Sequence, residues 1–85
     1  MASEAKLTIY GRSYCHLCDE MASALHGWCA ERGVRAGFEM VDVDADPALE
    51  ERFGDRVPVL VGGGVELCHF RLDPAAVAAY FAELG

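Results

Sequence analysis

Positive charge is scarce in this chain: 7 Lys and Arg stand against 14 Asp and Glu, a formal net charge of −7 at pH 7. Nucleic-acid and anionic-membrane partners want a basic patch, so the balance argues against both. No apolar run approaches the length of a membrane span. Met1 to Lys6 offers neither a basic start with an apolar core nor a cleavage site, so a cytoplasmic protein is expected. Thiols are kept reduced there, and a disulfide is more often catalytic than structural. The 4 cysteines could otherwise suggest a secreted framework, a reading the missing signal disfavours. Repeats, linkers and low-complexity tracts are also lacking. What remains is 85 residues, 53% hydrophobic and 25% charged: a single globular domain over 1–85 with a modest core.

Residues 12–20, Arg-Ser-Tyr-Cys-His-Leu-Cys-Asp-Glu, hold the densest chemistry. Cys15 and Cys18 lie between a run that reads as a strand and one that reads as a helix. A helix starting there puts Cys15 at its N-terminus and Cys18 one turn further in. Unpaired N–H groups of the first turn and the helix dipole favour thiolate over thiol, and thiolate is the nucleophile. The second sulfur can then attack a mixed disulfide formed by the first. This spacing predicts reversible dithiol–disulfide exchange, with Cys15 attacking and Cys18 resolving.

Around this motif the order reads βαβαββα. Lys6–Tyr10 is a β-rich run ended by Gly11. Leu17, Met21, Ala24, Leu25 and Trp28 fall at helical spacing, and Gly33 ends the helix. Phe38–Val43 is the second strand, with Phe38 and Met40 on one face and Val41 and Val43 on the other. The strand–helix–strand order predicts a parallel pair. Asp46 and Pro47 open a short helix over 48–53. Val57–Val61 reads as a buried strand, with Pro58 at its start or edge. Gly62–Gly64 turns into a strand over Val65–Phe70. Asp73 caps a last helix, whose apolar face is Val77, Tyr80, Phe81 and Leu84.

The Cys-x-x-Cys at the first strand–helix junction, the element order, and Val57-Pro58 opening the third strand together resemble a glutaredoxin of the thioredoxin superfamily. The similarity narrows to short glutaredoxin-like proteins with a Cys-His-Leu-Cys type motif and covers about residues 6–84. It implies an α/β fold with a four-stranded mixed sheet and helices on both faces. It also implies a cis Val57–Pro58 bond opposite the sulfurs, and a role in cell redox homeostasis and electron transport. Proline leaves the Val57 main chain free to pair with a substrate backbone. Arg12 matches a basic residue before the motif that can meet a substrate carboxylate. Two departures stand out. His16-Leu17 replaces the usual Pro-Tyr, and Cys68–Asp73 lacks the Gly-Gly that holds the γ-glutamyl end of glutathione. Only Asp73 could stand in for part of that site, which leaves glutathione specificity open.

A helix terminus contributes up to about 2 kcal/mol toward a Cys15 thiolate. Arg12 and protonated His16 would add to it, whereas Asp19 and Glu20 oppose it. Imidazolium at His16 would also make the disulfide more oxidising. The competing class is a metal-binding module, holding zinc or an iron–sulfur cluster bridged between two chains. Zinc needs four ligands and the motif supplies two. Cys29 lies about 16 Å further along the helix, and Cys68 and His69 point to opposite faces. Cys29 and Cys68 read as packed small hydrophobes. A third class keeps the groove at Val57-Pro58 as a non-catalytic adaptor. The sequence thus predicts a monomeric disulfide oxidoreductase with no bound cofactor or metal. Its partners would be protein disulfides or glutathione mixed disulfides, with glutathione or a reductase as electron donor.

Overall fold

A computed structural model describes residues 6–34 and 37–84; the expected domain limits at 1 and 85 lie outside them. The elements are β1 (Lys6–Gly11), α1 (His16–Arg32), β2 (Gly37–Asp42), a 3-10 turn (Val43–Ala45), α2 (Pro47–Phe53), β3 (Val59–Gly62), β4 (Val65–His69) and α3 (Pro74–Leu84). The sheet order is β2-β1-β3-β4. β1 and β2 run parallel, while β3 is antiparallel to both β1 and β4. The mixed sheet and the βαβαββα order are those expected.

Local signals account for most boundaries. Gly33 closes α1 in a left-handed conformation, φ 63°. The Asp46 carboxylate accepts the Ala48 N–H at 2.9 Å, and Asp73 accepts that of Ala75 at 3.0 Å, with proline opening each helix. Gly63 and Gly64, φ 58° and 82°, form a two-residue turn. Positive φ at both positions matches the twist of the flanking strands.

Strand alternation sends side chains to two cores. Leu7, Ile9 and Leu60 meet Met21, Leu25, Trp28 and Cys29 of α1 and Val77 of α3. On the other face, Val59 joins Val43 and Phe53, with Tyr10, Leu49 and Val61 packed around them. Helices therefore cover both faces, and β1 and β3 are shared by both cores.

Several details differ from the sequence reading. β2 stops at Asp42, whose carboxylate accepts the Asp44 N–H at 2.8 Å and turns the chain. Val43 thus enters the core from the 3-10 turn rather than from the strand. Cys18, Met21, Leu25, Trp28 and Cys29 form the buried stripe of α1, leaving Ala24 exposed and Leu17 half-buried. β3 begins after Pro58, and Phe70 lies beyond β4. Leu84 is exposed, so α3 packs through Val77, Tyr80 and Phe81. Among the described residues, no helix is long and apolar enough to cross a membrane.

Candidate functional site

One end of the sheet gathers the residues with reactive chemistry. The strand directions bring together the C-terminal ends of β1, β2 and β4, the start of β3, and the N-termini of α1 and α3. Cys15 and Cys18 sit there as a disulfide with Cα atoms 5.2 Å apart.

The first turn of α1 sets their geometry. Cys15 is the N-cap, with extended backbone, and its Sγ accepts the Cys18 N–H at 3.2 Å. Its carbonyl accepts the Asp19 N–H. Cys18 is 2% exposed, whereas Cys15 is partly open to solvent. An incoming thiolate or disulfide can therefore reach the Cys15 sulfur, and Cys18 is shielded one turn behind. An N–H aimed at Sγ also stabilises negative charge on that atom when the bond opens.

Gly11 makes room for this arrangement, a role the sequence reading did not assign. A Cβ at position 11 would lie 2.7 Å from Cys18 Sγ and 3.3 Å from its Cβ. Its signal in the sequence is a glycine that ends the strand just before the motif. Tyr10 pairs with Val59, so the antiparallel register carried one step further sets Gly11 across from Pro58. The Val57–Pro58 bond is cis, and Pro58 is fully buried. Its carbonyl accepts the Phe70 N–H at 2.8 Å, tying it to the end of β4. Among the described residues the Val57 main chain makes no hydrogen bond.

Arg12, expected to meet a substrate carboxylate, is engaged within the chain. Its guanidinium is held by the Asp44 and Glu50 carboxylates and donates to the Gly54 carbonyl at 3.0 Å. It fastens the end of β1 to the 3-10 turn and α2. His16 is exposed, with no ion pair among the described residues. Asp73 caps α3 through Ala75 and Ala76.

Cys29 and Cys68 are free thiols set apart from the disulfide pair. Burial pushes the Cys29 pKa up. Burial likewise raises that of Cys68; the Asp73 N–H opposes the shift, and the Asp73 and Glu66 charges add to it. Both thiols therefore stay protonated where an activated cysteine would ionise. His69 belongs to a separate surface network: its Nδ1 lies 3.1 Å from Glu66, whose other oxygen accepts from Arg56 at 3.1 Å. A bulge between Leu60 and Val61 lets β4 pass one extra residue. It turns Glu66 and His69 to the same face. No cluster of three or more candidate metal ligands occurs among the described residues.

Comparison with known proteins bears on the family and the fold. Residues 6–82 match the family model of a glutaredoxin-like domain (DUF836). An uncharacterized protein of Mycobacterium tuberculosis is 30% identical over 88 aligned residues, covering 95% of this chain and 87% of the relative. The solution structure of protein Ne2328 from Nitrosomonas europaea superposes with a TM-score of 0.83 at 35% identity, covering 94% of each chain. The glutaredoxin-like protein NrdH-redoxin of Escherichia coli, described as having a thioredoxin-like activity profile, superposes with a TM-score of 0.55 at 28% identity. That match covers 87% of this chain and 92% of the other.

Proposed function

This chain belongs to the glutaredoxin-like domain family, and from that premise we propose that it is a thiol–disulfide oxidoreductase working through Cys15 and Cys18. The observation that carries the reading is the division of the pair. One sulfur is accessible and hydrogen-bonded at a helix N-cap, and the other is buried one turn inside.

In the reducing direction, the Cys15 thiolate attacks one sulfur of a partner disulfide and expels the other as a thiolate, which takes a proton from water. Cys18, deprotonated in turn, displaces the partner's remaining sulfur from Cys15. The partner leaves with two thiols, and two electrons have passed from the Cys15–Cys18 dithiol, now a disulfide. A low-molecular-weight thiol or a dithiol-bearing reductase restores the dithiol. The Val57 main chain is the natural rest for an extended backbone beside the sulfurs. Arg12, committed to Asp44 and Glu50, acts as a brace rather than a substrate contact.

Redox titration in glutathione buffers, with alkylation of free thiols and mass reading, tests this proposal. The expected result is a two-hydrogen change confined to Cys15 and Cys18 with a defined midpoint. Cys15→Ser should abolish exchange, and Cys18→Ser should accumulate the mixed disulfide. Turnover by Cys15→Ser would overturn the assignment of the nucleophile. Thiols that cycle only after a chelator is added would replace the redox reading with a metal one.

A further inference from the structure

Among the described residues, Tyr14 and Phe70 are the two non-glycine positions with positive φ, 58° and 65°. Left-handed backbone is unfavourable for an aromatic residue, and such strain persists chiefly where function holds it. Burial does not compensate either one: Tyr14 is 105% exposed and Phe70 45%. Both stand at the redox end of the sheet. Tyr14 directly precedes Cys15, and Phe70 is tied by its N–H to the Pro58 carbonyl. Phe70 also centres a three-residue turn closed by the Arg71 N–H on the His69 carbonyl at 2.7 Å. With positive φ at its centre, that turn is of a rare, strained kind. His69 props the Phe70 ring edge-on at 4.9 Å. Two exposed aromatic residues thus stand at this end of the sheet, one next to Cys15 in the chain and one tied to the buried proline.

The surrounding charge indicates what they meet. Asp19 is exposed on the first turn of α1 with exposed Glu20 just after it, and Asp73 is exposed before α3. The nearby cations Arg12 and Arg56 are each held by two carboxylates of the chain itself, which leaves exposed Arg71, beside Phe70, as the cation set against those three carboxylates. We infer that Tyr14 and Phe70, within this acidic rim, dock a cationic cysteine-bearing segment of a partner polypeptide. The inference rests on the redox reading above and names its substrate class. Aromatic anchors supply contact area at the centre of such a surface, and the rim charges steer encounter and select the partner. Glutathione, a small anion at neutral pH, meets the same rim with like charge.

The test uses reduced protein, freed of dithiothreitol, and three substrates. Two are disulfide-linked dimers of a short peptide with one cysteine and one leucine, flanked by lysines in the first and by glutamates in the second. Hydroxyethyl disulfide is the uncharged reference. The lysine peptide should react about tenfold faster than the glutamate peptide at low salt, with the gap closing as screening rises. Glycine suits positive φ, so Phe70→Gly and Tyr14→Gly fold. Each should lower the ratio of lysine-peptide rate to reference rate about fivefold, as loss of an anchor does. Equal peptide rates at every salt concentration would overturn the partner assignment, and unchanged ratios in both glycine variants would overturn the aromatic anchors. Failure to exchange with any of the three, reference included, would instead overturn the redox reading.

Discussion

At the scale of single residues, the site depends on what is absent from position 11 as much as on the two sulfurs. Gly11 and Cys18 are both buried, and the 2.7 Å approach to Sγ leaves no space for a methyl group. Gly11→Ala must move the first turn of α1, so we expect a loss of about 1–3 kcal/mol, the usual cost of overpacking, read as a lower urea midpoint. Phe70→Gly should behave differently. Relief of left-handed strain offsets the greater freedom of glycine in the unfolded chain, so its urea midpoint should not fall; a clear fall would mean that the ring stabilises the fold instead. The buried thiol of Cys29 gives a pH dependence of definite sign. The folded state raises the Cys29 pKa and so favours its protonated form. That contribution is full below the unfolded thiol pKa and is lost as pH rises through the higher folded value. Stability measured from neutral to about pH 10 should therefore decline more steeply in the parent than in Cys29→Ala, and parallel curves would refute the linkage.

At the scale of elements, capping explains why so much of the order could be read directly. Asp46-Pro47, Asp73-Pro74, Gly33 and the glycine turn act within a few residues, and each appears in the structure at or next to its expected place. Contacts across long sequence separations could not be read this way. Arg12 meets Asp44 and Glu50 only because β1 ends beside the 3-10 turn, and Gly11 meets Cys18 only through the bend at Ser13 and Tyr14. Helical periodicity gave the right face of α1, but Ala24 lies at its margin and is exposed. The cysteine pair was legible because its chemistry is local to one turn; the strained rings beside it depend on dihedral angles that composition does not encode. Asp73 offers a test at this scale because it can serve both as cap and as rim charge. Asparagine caps as well as aspartate, so Asp73→Asn should keep the parent's thermal midpoint while slowing the lysine peptide. Asp73→Ala should also lose about 1 kcal/mol of stability. Equal stability of the two variants would show that the cap contributes nothing.

At the scale of the whole molecule, the two faces of the sheet are unequal, and the site lies where they meet. One face has the long helix α1 and α3 over a core of eight buried residues, Leu7, Ile9, Met21, Leu25, Trp28, Cys29, Leu60 and Val77. The other has a seven-residue helix held by Val43, Phe53 and Val59. Within the smaller core, Phe53 stacks on Tyr10 at 4.3 Å between ring centroids. A structure opens first where buried apolar contacts are few. Native-state hydrogen exchange should therefore show α2 opening at lower free energy than β1, β3 and α1, with the loop leading to Val57 opening alongside it. Removing the ring by Phe53→Ala should cost about 3–5 kcal/mol if this helix unfolds only with the rest. If α2 can open on its own, the variant should lose α2 protection while the amides of α1 stay slow. That second pattern is the one expected, because β1 and β3 keep their hydrogen bonds and the larger core without α2. It would leave the disulfide on the stable part of the molecule and the approach to the proline on the mobile part. A substrate segment laid along Val57 would then restore α2 protection, and exchange protection measured with the lysine peptide trapped on a Cys18→Ser variant would detect it.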